Sequence, residues 1–220
     1  MEKLQDLTEF QWNDQYSDEL IRNQNLQIEW RDETMHESKV KYTGEWSGNM
    51  RHGKGTQIWP DGARYDGYFV LDHQEGFGRI VHGDGDVYVG YWKNDKSNGK
   101  GAYFHMDGAY YEGDWVDDKH HGQGKEYWSD GAVYDGQYSN GKKHGWGRFE
   151  WQDGSKFEGA FVNNRMEGHG TYEWNDGRKY DGLWKDNMMD GEGVFTWKDG
   201  REYRGGYVKD KKEGRGVFTW

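Results

Sequence analysis

The chain has 220 residues, with 29 basic and 40 acidic side chains, a formal net charge of −11 and a mean hydropathy of −1.30. That balance argues against a nucleic-acid binder, which presents basic groups to neutralise phosphates, and disfavours nonspecific attachment to anionic lipid. The absence of cysteine excludes a disulfide framework and thiolate metal sites and suits a reducing compartment. No apolar run approaches ~18 residues and no basic-then-apolar leader opens the chain, so a soluble, cytoplasmic protein is expected.

Residues 1–41 form the first segment, with 5 basic and 10 acidic side chains. Ser17 to Gln24 reads as a short helix with Ser17 as its N-cap, and Leu26 to Trp30 alternates apolar and polar residues as a strand does. Two fragments, Phe10-x-Trp12-x-Asp14 and Ile28-x-Trp30-x-Asp32, echo the second strand and turn of the repeat unit that follows, as degenerate repeats or by chance. This segment is expected to cap the open edge of the sheet that follows, or to bind a partner, because an exposed strand edge invites unwanted pairing.

From residue 42 the sequence repeats. Aromatic residues recur every 23 positions at Tyr42, Tyr65, Tyr88, Tyr111, Tyr134, Phe157, Tyr180 and Tyr203. A glycine follows two positions after each, and a second aromatic two positions later, as in Tyr111-x-Gly113-x-Trp115. A G-x-G pair comes next, then a mostly tryptophan column holding His82 and His105, and an Asp-Gly pair closes each unit but the last. Of the 35 glycines, most fall on these columns, so their role is structural and not that of a flexible linker.

Each unit reads as strand, loop, strand, tight turn. Strand side chains alternate between faces, so both rings and the glycine of Tyr111-x-Gly113-x-Trp115 share one face, and rings can lie over bare glycine backbone. Asp-Gly fits a two-residue hairpin turn with positive φ at both positions, while the stretch from Val116 to His121 reads as a loop on the other edge. An all-β fold follows: an elongated, twisted, single-layer antiparallel sheet of repeated hairpins, with a short irregular or helical N-terminal segment.

This pattern resembles the MORN repeat family over residues 42–220, with repeats starting at 42, 65, 88, 111, 134, 157, 180 and 203. The resemblance implies a scaffold or docking module without enzymatic activity or a cofactor. It also implies placement at cytoskeletal structures, including radial spoke heads of motile cilia, the axoneme, basal bodies and the cell cortex. Relatives that form membrane junctions imply the alternative, a peripheral tether for acidic phospholipids.

Candidate surfaces come from the face opposite the rings. The column Ile58, Val81, Phe104 and Tyr127 is apolar and then becomes Glu150, Glu173, Thr196 and Thr219. Tyr68, Val87, Tyr91, Tyr110 and Val133 join it on that face. This patch is either covered by residues 1–41 or open to a protein partner.

Along the loop edge Lys96, Lys119, Lys142 and Arg165 share one register, with Lys143 beside them: a row for phospholipid head groups or an acidic partner, or solvated lysines interleaved with aspartates. Phe218 and Trp220 lie on the last strand, whose edge is expected to meet a partner or a second copy as a homodimer. His82 and His105 are two strands apart, roughly 10 Å, too far to share a metal ion. No catalytic constellation stands out, and carboxylates at turns carry no acid-base signal.

Overall fold

The structure, a computed structural model, describes residues 10–12 and 14–220. The chain divides into two compact units, Met1–Lys119 and His120–Trp220. In the first lie α1 (Gln15–Arg22), β1 (Glu29–Met35), β2 (Lys41–Ser47), β3 (Met50–Ile58), β4 (Arg64–Val70), β5 (His73–Val81), β6 (Val87–Lys93), β7 (Lys96–Phe104) and β8 (Tyr110–Val116). Starting at the boundary come β9 (Lys119–Tyr127), β10 (Val133–Ser139), β11 (Lys142–Glu150), β12 (Lys156–Val162), β13 (Arg165–Glu173), β14 (Lys179–Lys185), β15 (Met188–Thr196), β16 (Glu202–Val208) and β17 (Lys211–Thr219). All seventeen strands belong to one antiparallel sheet of hairpins.

The helix starts earlier than the sequence suggests. Asp14, not Ser17, is its N-cap: the Asp14 carboxylate accepts the Ser17 amide at 2.8 Å and the Ser17 hydroxyl at 2.5 Å. The first strand is also displaced, starting at Glu29 where Leu26 to Trp30 was expected. It pairs antiparallel with β2, from Glu29 opposite Trp46 to Met35 opposite Lys41, and so occupies the outer edge of the first hairpin.

The two turn types are exchanged relative to expectation. At Asp61-Gly62 only the glycine has positive φ, +89°, and the loop is three residues, closed by Trp59 and Ala63. The Asp61 carboxylate holds it by accepting the Ala63 amide at 3.0 Å. The two-residue turns with positive φ at both positions lie on the other edge, at Leu71-Asp72, Asn94-Asp95 and Asp117-Asp118 in the first unit. They recur at Asn140-Gly141, Asn163-Asn164, Asp186-Asn187 and Lys209-Asp210 in the second. The expected loop from Val116 to His121 therefore shrinks to two aspartates between β8 and β9.

These tight turns also clasp the preceding hairpin. The Asp72 amide donates to the Arg51 carbonyl at 2.9 Å, and the Asp72 carboxylate accepts the Arg51 amide at 2.9 Å. Asp95 does the same to Gln74, Asp118 to Ser97, Asn164 to Lys143, Asn187 to Met166 and Asp210 to Met189. Asp and Asn suit this place twice over: they tolerate positive φ and carry a short acceptor.

One face of the sheet is its core. In the first unit the rings form an edge-to-face series, Tyr42 to Phe69 at 5.1 Å, Phe69 to Tyr65 at 5.3 Å, Tyr65 to Trp92 at 5.2 Å and on through Tyr88, Trp115 and Tyr111. The second unit repeats it from Tyr134 and Phe161 to Tyr180 and Tyr207. Such contacts contribute about 0.5–1.5 kcal/mol each beyond area burial. Bare backbone makes room: a Cβ at Gly78 would sit 2.4 Å from the Tyr65 hydroxyl oxygen.

The paired strands slip register between Gly67 and Phe69, and the slip displaces the Tyr68 carbonyl from the regular ladder. The Tyr65 hydroxyl donates to that carbonyl at 3.2 Å. Tyr42, Tyr88, Tyr111, Tyr134 and Tyr180 each do so to the carbonyl three residues on. In these six repeats the leading tyrosine is thus both core ring and cap for a bulge.

Candidate functional site

In the first unit the face opposite the rings holds residues 10–12 and 14–22. Tyr68 is buried beneath this segment; its hydroxyl donates to the Asp18 carboxylate at 3.1 Å, and its ring meets Trp12 at 6.3 Å. Tyr91 donates to the Asp14 carboxylate at 3.0 Å and takes the edge of Tyr16 at 5.9 Å. Burial, then the neighbouring carboxylates, raises both phenols above their ordinary pKa. Phe10 stacks on Phe77 at 5.9 Å, and Lys54 reaches both the Trp12 carbonyl and Asp18 at 2.9 Å.

Two small residues set how closely the segment approaches. The fully buried Ser17 hydroxyl accepts the Phe77 amide at 2.7 Å, directly over Gly76. A Cβ on Gly76 would lie 2.4 Å from that oxygen, and the glycine φ of +70° is one that L side chains rarely adopt. Beside it His52 is fully buried, its Nδ1 accepting the Leu71 amide at 3.4 Å. Burial lowers the His52 pKa, against smaller opposing effects of the Ile21 backbone and Glu45.

The nine apolar residues singled out in the sequence separate into three groups. Tyr68 and Tyr91 contact the N-terminal segment. Ile58, Val81, Val87, Phe104 and Tyr110 instead form one lateral row of paired positions, interrupted by Arg64. Phe104 stacks on Tyr110 at 5.7 Å. Tyr127 and Val133 face each other in the second unit.

Next to the row is a buried ionic cluster that the column pattern did not bring out. Asp66 accepts from Thr56 at 2.7 Å, Arg64 at 2.8 Å and Arg79 at 2.9 Å. Burial alone would raise the Asp66 pKa, and these hydrogen bonds outweigh it and hold it low.

Between the row and the N-terminal segment the first unit has an open concavity of about 420 Å³. Phe77, Val89, Tyr91, Ala102 and Phe104 line it, over the bare backbone of Gly90, Gly101 and Gly113. Lys100 and Glu112 lie at its rim, and Lys100 pairs with Asp114 at 2.6 Å. In the second unit the same face is polar, with an exposed Trp146 among Arg148, Lys156, Glu158 and His169.

The cations divide too. Lys96, Lys119 and Lys142 are exposed first residues of β7, β9 and β11, directly after the tight turns. Arg165 is bound to Asp186 at 2.5 Å. Lys143 leaves this row for the ring face, with its ammonium 4.7 Å from the Trp128 ring centre, 5.1 Å from Tyr134 and 3.2 Å from Glu126. Phe218 is 40% and Trp220 86% exposed, and their rings lie 5.1 Å apart. His82 and His105 flank the Tyr103 ring, and His105 pairs with Asp86 at 2.9 Å. Among the described residues no group of three or more His, Asp or Glu side chains is placed to hold a metal ion, and no helix is long and apolar enough to cross a membrane.

The sequence left open whether residues 1–41 cover the face opposite the rings, and did not bring out the particular contacts of Asp14, Ser17 and Asp18 with Tyr91, Phe77 and Tyr68. Their signal was present in the Phe10-x-Trp12-x-Asp14 echo and in Asp14, a good N-cap three residues before Ser17.

These features define a hairpin-repeat protein with a ring core on one face and, in its first unit, a segment-binding surface on the other. The MORN repeat family matches residues 42–64, 65–87, 88–110, 111–133, 134–156, 157–177, 180–200 and 203–220, and the chain belongs to that family. No curated protein matches the chain. Among solved structures it is similar to the TCP domain of Drosophila melanogaster SAS-4 in complex with a proline-rich motif of Ana2, at 11% identity over 80% of this chain and 88% of that chain, TM-score 0.43. The TCP10 domain of Danio rerio CPAP shares 12% identity over 84% of this chain and 98% of that chain, TM-score 0.32. Virginiamycin B lyase from Staphylococcus aureus shares 10% over 88% and 73%, TM-score 0.17. Family and fold describe a structural and interaction module.

Proposed function

We propose that this chain is a non-enzymatic scaffold that docks other proteins on the faces of its sheet, as a cytoplasmic component of a cytoskeletal assembly such as the ciliary axoneme. One observation carries the docking part: the first unit already holds residues 10–12 and 14–22 through ring stacking, carboxylate–hydroxyl bonds and a fitted serine. A surface with that complementarity binds polypeptide. The cytoskeletal placement rests on the family alone.

Detergent fractionation of the native cell tests the reading. The scaffold stays with the insoluble cytoskeleton and is released by high salt together with a defined set of proteins. Release with solubilised membrane overturns it in favour of a peripheral phospholipid tether. The exposed ammonium groups of Lys96, Lys119 and Lys142 favour that second reading.

A further inference from the structure

The surface that holds the N-terminal segment does not end where the segment ends. Lys54, Phe77 and Lys100 share one register at the 23-residue period, on the same face of the sheet. The segment uses one end of this column: Lys54 binds Asp18 and the Trp12 carbonyl, and Phe77 receives Phe10. The other end is the apolar concavity, which shares Phe77 and Tyr91 with the segment and has Lys100 at its rim. Its volume of about 420 Å³ has room for bulky side chains.

We propose that this concavity is a docking site for an acidic, aromatic-bearing segment of another protein, similar in chemistry to Phe10-x-Trp12-x-Asp14 and lying beside the chain's own segment. Bulky side chains enter over Gly90, Gly101 and Gly113 between Phe77 and Phe104, and a carboxylate meets Lys100 as Asp18 meets Lys54. Lys100 can change partner at little cost, because its own side chain in the pair with Asp114 is largely exposed and solvent screens such a pair. Continuity with an interface the chain already makes selects this occupant. The inference rests on the docking reading above.

The test uses the intact chain and a fluorescent synthetic peptide with the sequence of residues 8–22 as the probe, read by anisotropy. Saturable one-to-one binding is expected, weakened at least about tenfold by Val89→Glu and by Phe104→Ala, with unfolding midpoints confirming that each variant folds. Lys100→Glu weakens it as well, and less at high salt. No binding overturns the proposal. Binding that appears only after Trp12→Ala also overturns it, since the peptide then takes the place of the tethered segment. Either failure leaves the scaffold reading standing if the native protein remains with the salt-extractable cytoskeleton.

Discussion

The Ser17 hydroxyl accepts the Phe77 amide at 2.7 Å across the bare Cα of Gly76. That contact joins the helix N-terminus to the sheet, and substituting Gly76 breaks it. Gly76→Ala places a methyl group on the Ser17 oxygen and forces a side chain into positive φ, a backbone cost of about 1–2 kcal/mol. We expect α1 amides to lose most of their hydrogen-exchange protection and Trp12 emission to shift red, while β10 to β17 keep their protection.

Acid is expected to destabilise the fold through His52. His52 has a folded-state pKa lowered by burial, so at neutral pH it is uncharged in both folded and unfolded chains and has no effect on stability. As pH falls below the unfolded value of about 6.5, the unfolded chain takes up the proton first and stability drops, levelling off only below the folded pKa. Denaturation midpoints of the chain at pH 7.5 and pH 5 should differ more than those of His52→Gln. Equal differences would show that His52 is not the group titrating.

The ring ladder predicts a graded series at Tyr65. Tyr65→Phe removes one hydrogen bond, to the Tyr68 carbonyl, and should cost about 0.5–1.5 kcal/mol. Phe157 fills the equivalent place in the second unit, which sets the milder end of that range. Tyr65→Ala empties the site between Phe69 and Trp92 and should cost about 3–5 kcal/mol. Chemical denaturation followed by tryptophan fluorescence measures both.

The turn clasps predict a local effect at Asn164. Asn164→Ala removes the acceptor for the Lys143 amide at 2.8 Å and places a residue with no side-chain acceptor at φ +70°. A loss of roughly 1–2 kcal/mol is expected, seen as faster amide exchange at the start of β11. Asn164→Asp keeps both properties and should remain within about 0.5 kcal/mol of the parent chain.

Periodicity made the sheet legible in the sequence. Each ring, glycine pair and turn had to recur in register, so Tyr65, Gly67 and Phe69 could be placed on one face without coordinates. Turn chemistry was harder, because Asp-Gly serves both a two-residue turn and a three-residue loop; the structure uses the second, and Leu71-Asp72 takes the first. Lys142 and Lys143 are adjacent in sequence, and strand alternation sends only Lys143 to the rings. The N-terminal contacts were least legible. They join residues as far apart as Asp14 and Tyr91, and no repeat marks them.

The clasps impose an arithmetic on the gene. Each turn side chain reaches an amide 21 residues earlier, as Asp72 does to Arg51 and Asp95 to Gln74. Cutting out residues 65–87 would bring Asp95 to the place Asp72 held against Arg51, and Tyr88 to that of Tyr65, with ladder and clasps restored. A deletion one residue longer or shorter would turn every later ring to the wrong side of the sheet. Viable lengths for such a chain are quantised, and in-frame splicing is constrained to whole periods.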